Sequence, residues 1–384
     1  MLPTPAIIFL ASWYPTPQNK NHGIFIKNHA LALSKYVPVI VLYAYSSSEV
    51  DDFKISKNKQ GNLEEWLIAY KKVSTLPLLA AIIKYRRFKE AYVILLNELI
   101  TNNRSIKAIQ VNTIFPVAFV VPFFKNYFKV PVTIIEHWSG YLKEDGNYKG
   151  FIQKQFTQKC VALARKIYYV SEKQKKAMIS HGLTGNYELI YNVVNTSVFC
   201  EQLNAKSAKP LLLHVSSLTE KEKNIIGTLN VIKKLQEDNY KFDFLVVGGS
   251  EQAVVYYKEK AKQLRILNTT FVGEKTQQEV AAYMQQASAL ILFSNYEGMP
   301  VVILEALATG LPVFASNVGQ LAHLIKDDFG KLVSVGNELE LETSLKDFFN
   351  GKLKFDSKKM IDFISKNASQ EVVGKKLADY YETN

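Results

Sequence analysis

The chain has 384 residues, 48% hydrophobic and 21% charged, which sets aside a disordered polymer and suffices for two or three separate cores. No apolar run reaches the roughly 20 residues of a membrane-spanning helix, and two cysteines, Cys160 and Cys200, suggest neither a disulfide framework nor a metal site. The net charge of +12 is lopsided: residues 1–190 carry 25 Lys and Arg against 12 Asp and Glu, whereas residues 191–384 carry 22 against 23. That bias suggests an acidic partner for the first half, an anionic membrane or a lipid-phosphate acceptor, set against the plainer reading of a lysine-rich solvated surface. Nucleic acid ranks last, because no zinc-finger, RNP-type or helix-turn-helix signal is present. The N-terminus lacks the basic start of a signal peptide, so the expected location is cytoplasmic, free or peripheral on the inner face of the cell membrane.

In chain order, apolar runs predict strands over Ile7–Ala11, Val37–Tyr43, Lys107–Val111, Val132–Glu136 and Ile167–Val170. After a polar stretch over Glu201–Lys209 that reads as a linker, a second series follows: Leu211–Val215, Phe242–Val247, Thr270–Val272, Ala289–Phe293, Val313–Ala315 and Lys331–Val333. Helical periodicity lies between most of them, and Ser369–Tyr381 is helical in pattern. Such alternation predicts parallel sheets with crossover helices, hence two doubly wound α/β domains that bind ligands at the carboxyl ends of their strands, in a cleft between them.

The strand at Ala289–Phe293 leads into Ser294-Asn295-Tyr296-Glu297-Gly298-Met299-Pro300-Val301 and on to Glu305, Gly310 and Pro312. Pro300 suits a first helical turn, and Gly310 followed by Pro312 suits a helix end. Two carboxylates, Glu297 in the loop and Glu305 about two turns inside the helix, flank an N-terminus that favours anions. A ligand with phosphate and hydroxyl groups, such as a sugar nucleotide, fits that pattern. The bland reading is an amphipathic helix with one exposed and one capping glutamate.

This segment resembles the E-x7-E signature of retaining glycosyltransferases of the GT4 type, and the other motifs extend the resemblance over nearly the whole chain. It implies the GT-B fold, with Rossmann-like domains over 1–195 (acceptor side) and 196–366 (donor side), and a helix over 367–384 crossing back to the first. It also implies that Glu297 contacts the donor sugar and Glu305 the ribose, with Gly298, Met299, Pro300 and Val301 lining the donor. In Ser12-Trp13-Tyr14-Pro15 and His22-Gly23-Ile24, Gly23 resembles the first-domain glycine facing the diphosphate, or is simply a tight turn. His137, after the strand Val132–Glu136, matches a histidine near the transferred sugar, although a lone histidine is more often structural. In His214-Val215-Ser216-Ser217-Leu218 to Lys223-Asn224, Lys223 matches the phosphate-binding lysine and Asn224 a helix cap. Ser217 stands at the usual arginine position, which removes a bidentate fork that Lys221 or backbone amides must replace. Gly273 lies in the segment that reads the base edge, and Tyr191–Thr196 resembles the connector between domains with Asn195 for the usual Asp.

The resulting expectation is a retaining hexosyl-type glycosyltransferase needing neither metal nor cofactor. Glu297, His137 and Lys223 are its catalytic candidates, and its acceptor is a glycan or lipid-phosphate-linked sugar of cell-surface polysaccharide synthesis. A sugar-nucleotide epimerase and a noncatalytic nucleotide-sugar binder are the alternatives, the Ser217 departure favouring the second. Tyr85-Arg86-Arg87-Phe88-Lys89 lies in a helical stretch that either docks on an anionic membrane or packs on its domain with the basic face in water.

Overall fold

The computed structural model describes residues 4–73, 77–201 and 209–383. Most of the linker expected over Glu201–Lys209 lies outside them. Two compact units result: residues 1–193 together with 370–384, and residues 194–369.

The first unit contains, in order, β1 (Ala6–Ala11), α1 (Ile24–Ser34), β2 (Val39–Ser47), β3 (Phe53–Gln60), β4 (Leu63–Lys71), α2 (Pro77–Thr101), β5 (Ile106–Asn112), α3 (Val121–Phe128), β6 (Val132–Glu136), α4 (Phe151–Leu163), β7 (Ala164–Tyr169), α5 (Glu172–Ser180) and β8 (Tyr187–Leu189). Its sheet has the order β3-β4-β2-β1-β5-β6-β7-β8, parallel except where β3 runs against β4. Strand alternation sorts the core into two faces: Ile8, Leu10, Ile40, Leu42, Ile109 and Val111 pack with Tyr92 and Leu95 of α2, which leaves Ile7, Phe9, Val39 and Val41 for the other side. On that other side the Tyr381 hydroxyl donates to Gln110 Oε1 at 2.6 Å and meets Thr133 Oγ1 at 2.6 Å. Tyr381 belongs to the last helix, which packs along α1.

The hairpin β3–β4 is absent from the strands expected from sequence. β3 pairs only with β4, and from Lys57 to Gln60 every residue is exposed, so it lacks the apolar run that marks a buried strand. Its lysines are what an unprotected sheet edge needs against further pairing. The short edge strand β8 was likewise not expected; it is three half-buried residues, too brief for a pattern.

The second unit follows with β9 (Leu211–Val215), α6 (Glu220–Lys223), α7 (Ile225–Glu237), β10 (Asp243–Val247), α8 (Glu251–Gln263), β11 (Thr269–Phe271), α9 (Gln277–Gln286), β12 (Ala289–Leu292), α10 (Val301–Ala308), β13 (Val313–Ser316), α11 (Leu321–Leu324), β14 (Gly330–Val333), α12 (Glu338–Phe349) and α13 (Ser357–Asn367). Its sheet, β11-β10-β9-β12-β13-β14, is parallel throughout. The strands are short, nearly continuous apolar runs, the composition of a sheet covered on both faces. The final helix, α14 (Gln370–Thr383), returns the chain to the first unit. No helix among the described residues is long and apolar enough to cross a membrane.

Candidate functional site

In the second unit the loops leaving β9, β12 and β13 meet at the carboxyl ends of the strands. The Ser294–Pro300 loop is tied to α6: the Asn295 amide donates to Glu222 O at 2.7 Å and its side chain to Lys221 O at 3.1 Å. Asn295 therefore fastens the loop rather than being held back for a ligand. From the other side Gln320 N donates to Gly298 O at 3.0 Å. At Gly319, with φ of 59°, a Cβ would sit 2.3 Å from Glu297 O, so only glycine lets that turn close over the loop.

This bracing fixes Glu297. Its Oε1 accepts from Lys223 Nζ at 2.6 Å and from Ser294 Oγ at 2.8 Å, and Lys223 also pairs with Glu222 at 2.8 Å. Burial alone would lower the Lys223 pKa, but the Glu297 and Glu222 charges outweigh it and raise it, so the ammonium stays charged. Burial raises the Glu297 pKa against the pull of Lys223. The ammonium has three protons and spends two on carboxylates, which leaves one for a ligand.

Glu305 is different. It is 9% exposed, and among the described residues no hydrogen bond or ion pair reaches its carboxylate. Burial pushes its pKa from 4.5 up to about 8. Pro300 is extended, with φ −67° and ψ 120°, and serves as N-cap rather than as a first-turn residue. Because the helix starts at Val301, Glu305 lies little more than one turn inside it, closer to its mouth than the expected two turns. The Val301 and Val302 amides open the helix and have no acceptor among the described residues. Met299 is buried at 5% exposure, and Gly310, with φ of 70°, closes the helix as the sequence suggests.

Ser217 is exposed, and among the described residues its hydroxyl meets only Thr219 Oγ1 at 3.1 Å. Its loop is shaped instead by residues that sequence reasoning passed over. His214 Nδ1 donates to Ile291 O at 2.9 Å; its other nitrogen then accepts from Ser216 Oγ at 2.7 Å, and Ser216 Oγ accepts from Leu218 N at 3.0 Å. That relay holds Leu218 at φ 56°, and burial lowers the His214 pKa to about 4, which keeps the relay neutral. Lys221, the suggested substitute for the missing arginine, has its ammonium 5.9 Å over the Tyr296 ring. Asn224 caps α7 by accepting from Gly227 N, as expected. Gly273 has φ of 70°, and its carbonyl accepts from Gly248 N at 2.7 Å. Asn195 accepts from Ser197 N and Oγ in a local turn.

In the first unit the end of β6 carries Glu136 and His137. Glu136 is buried and saturated: it accepts from the amides of Ile114, His137 and Trp138 and from the Tyr141 hydroxyl, all within 3.0 Å. Burial raises its pKa against those bonds. Both ring nitrogens of His137 are buried with no close hydrogen bond among the described residues, and the Asn192 side chain lies against the ring and works to raise its pKa. Burial, then the neighbouring His29, lowers the His137 pKa well below its usual value. Phe25 lies 4.6 Å and His29 5.3 Å from its ring. Gly23, with φ of 68°, caps α1, and a Cβ there would lie 2.5 Å from the Trp13 carbonyl carbon. Within the first unit, the close approach that Gly23 permits is to the Trp13–Tyr14 backbone.

The structure therefore gathers Glu297, Gly298, Lys223, Glu305 and the start of α10 at one sheet end, and His137 with Gly23 at another. Glu222, Ser294, His214 and Glu136 were missed. The only signal in the sequence was local: Ser294 three residues before Glu297, and carboxylates beside Lys223 and His137.

Residues 198–369 match the family described as glycosyl transferases group 1. An uncharacterized glycosyltransferase of Methanocaldococcus jannaschii is 25% identical over 258 residues, 66% of this chain and 68% of that one. A UDP-Gal:alpha-D-GlcNAc-diphosphoundecaprenol alpha-1,3-galactosyltransferase of Escherichia coli is 28% identical over 95 residues, which span 25% of this chain and only 23% of the relative. Among solved structures, sucrose-phosphate synthase of Thermosynechococcus elongatus superposes with a TM-score of 0.77 at 17% identity, over 98% of both chains. That likeness establishes the GT-B fold.

Proposed function

Because the chain belongs to the glycosyl transferases group 1, with the match over residues 198–369, we propose that it is a retaining, metal-independent glycosyltransferase using a UDP- or GDP-sugar. The observation that carries this reading is the contrast within the second unit between a carboxylate bound to a lysine and a buried carboxylate bound to nothing. A ribose offers two hydroxyl donors to Glu305, which compensate the burial of its charge. The third proton of Lys223 and the amides of Val301 and Val302 face the diphosphate. They stabilise it most when the bond from the sugar's anomeric carbon to phosphate oxygen breaks and its electron pair passes to that oxygen. The acceptor hydroxyl then bonds to the same face of the anomeric carbon and gives its proton to the departing phosphate. Glu297 Oε1 is committed to Lys223 and Ser294, which makes it a poor nucleophile and leaves Oε2 for a sugar hydroxyl.

We assign the acceptor, a glycan or lipid-phosphate-linked sugar, to the first unit, with His137 as a neutral contact to it or to the transferred sugar. The resemblance to the galactosyltransferase whose substrate is diphosphoundecaprenol-linked supports that class. The test is a panel of UDP- and GDP-sugars with chelator present, read by thermal shift and by nucleoside diphosphate release. Stabilisation and slow release with one donor, both lost in Glu305→Ala, is the expected result. No shift with any sugar nucleotide would sink the assignment, binding without turnover would favour a noncatalytic binder, and conversion of the donor without acceptor an epimerase.

A further inference from the structure

In the sheet of the first unit the chain moves from β1 outward to β2 and β4, then returns past β1 to β5 and runs on to β8. The crossovers after β1 and β5 therefore lead in opposite directions, and in open α/β sheets ligands bind at the carboxyl ends of the strands beside such a point. A cavity of about 510 Å³ opens there, within the size range of small-ligand sites. Ser12, just after β1, lies on its wall with Pro116 after β5, Tyr45 and Ser47 near the end of β2, and Tyr70 near the end of β4.

The make-up of this cavity is at odds with its surroundings. Residues 1–190 carry 25 Lys and Arg against 12 Asp and Glu, yet its lining has one charged side chain, the exposed Lys72. Burial pushes the pKa of His22, also on the lining, below its ordinary value, so that ring is neutral at pH 7. The polar groups are hydroxyls from three segments. Ser12 Oγ accepts from Val117 N at 3.2 Å and Ser47 Oγ from Glu49 N at 3.1 Å, and among the described residues nothing takes their protons. Tyr70 is 8% exposed, and its hydroxyl has no hydrogen bond among the described residues. A phenol so buried is satisfied only by what enters the cavity.

The cavity also has an aromatic wall. Tyr43 and Tyr45, two residues apart, share one face of β2 and stack with ring centres 5.9 Å apart and planes 14° from parallel. Tyr43 is buried and Tyr45 half-buried, so Tyr45 is the outer ring and offers a flat face with a hydroxyl at its tip. A lipid phosphate would find one ammonium here and no use for stacked rings. A nucleobase would use the rings, but its hydrogen-bonding groups lie in one plane and do not match hydroxyls from three segments. A pyranose has an apolar C–H face to lay on a ring and a rim of hydroxyls that both donate and accept.

We propose that this cavity binds a neutral pyranose residue, stacked on Tyr45 and hydrogen-bonded by Ser12, Ser47 and Tyr70. As an acceptor subsite, a role that rests on the transferase reading, it makes a neutral sugar of the acceptor, rather than a carrier phosphate, the group recognised.

The test is saturation-transfer NMR on the full chain with the methyl α- and β-pyranosides of glucose, galactose and mannose, taken to about 10 mM, an order above a weak Kd of ~1 mM. At least one glycoside is expected to receive saturation, strongest on the C–H protons of one face. Inorganic phosphate or geranyl phosphate at equal concentration should not displace it. Tyr45→Ala should weaken binding roughly tenfold through lost apolar contact. Tyr70→Phe keeps the ring and its packing and should weaken binding about three- to tenfold through one hydrogen bond. Lys72→Ala should leave it within about twofold, as for a solvated charge. No saturation of any glycoside, displacement by either phosphate or by adenosine, or indifference to both tyrosine variants would overturn the proposal. None of these residues lies in the donor site, so the thermal shift with a nucleotide sugar should survive in every variant. Glycoside binding that depends on Tyr45 stands even if no nucleotide sugar shifts the wild type, and a donor shift without glycoside binding overturns this proposal alone.

Discussion

The two sheets end in similar pairs of residues with opposite protonation behaviour. At the end of β6 a saturated carboxylate, Glu136, adjoins a ring with no hydrogen-bond partner, His137. After β12 a carboxylate held by Lys223 and Ser294, Glu297, precedes a carboxylate with no partner, Glu305. In each pair the first residue is held by hydrogen bonds within the protein, to backbone amides at Glu136 and to side chains at Glu297, and the second is left over. Burial acts on both leftovers but favours the neutral form of each, so it lowers the histidine and raises the glutamate. The ring therefore stays neutral across the working range of pH, while the carboxyl changes charge within it. Equal burial yields one fixed group and one adjustable group because an acid and a base answer desolvation in opposite senses.

The largest expected effect would break the contrast outright. If Glu305 holds the ribose as proposed, Glu305→Ala removes two charge-assisted hydrogen bonds, at about 1.5–3 kcal/mol each, so donor affinity by calorimetry should fall by roughly two orders of magnitude or more. Unchanged affinity would place the donor elsewhere. Next, Lys223→Met leaves Glu297 and Glu222 without their cation, and a broken buried pair costs about 3–5 kcal/mol in urea unfolding. A loss below about 1 kcal/mol would mean that the pair is not buried in solution.

The pH dependence sharpens the contrast. The folded chain keeps a proton on Glu305 up to about pH 8, whereas the unfolded chain releases it near 4.5. Between those values the folded state holds the extra proton, so this group's stabilising contribution is full at low pH and is lost as pH rises towards 8. The limiting slope is about 1.4 kcal/mol per unit. Glu305→Gln should remove that slope in denaturant melts followed from pH 5 to 8. Donor affinity should move the other way and rise with pH up to about 8, since the ionised form accepts the ribose hydroxyls. A wild type and a glutamine variant with parallel profiles would refute the assignment.

The smallest effect tests the other pair. His137→Ala removes ring packing and the Asn192 contact, so stability should change by no more than about 1–2 kcal/mol while turnover falls. Stability lost without a change in turnover would make His137 a core residue.

Much of this was legible beforehand, and the reasons are local. The buried parallel strands announce themselves as apolar runs, and the loop carrying Glu297 stands out because charge, glycine and proline crowd into one turn. β3 was hidden because its one-sided pairing leaves it as polar as a loop. The His214–Ser216–Leu218 relay was hidden because it joins a strand residue to a carbonyl 77 residues away, a contact that only the sheet order creates. At Gly23 a close approach was readable, but not that the Trp13–Tyr14 backbone makes it. Glu136 looked like a neighbour of the interesting residue, and its four hydrogen bonds come from Ile114 and from the 137–141 stretch that follows it.

The last helix has a consequence for how the protein is made. Tyr381 plugs the polar gap between Gln110 and Thr133, and α14 lies along α1, so the first unit is closed by residues translated after the whole of the second. A ribosome moving along the message releases the second unit as one uninterrupted stretch, but leaves the first with its α1 face uncovered until α14 emerges. During synthesis the later unit is therefore free to fold to completion ahead of the earlier one. A stop codon directly after residue 369 would expose the oldest part of the chain rather than the newest.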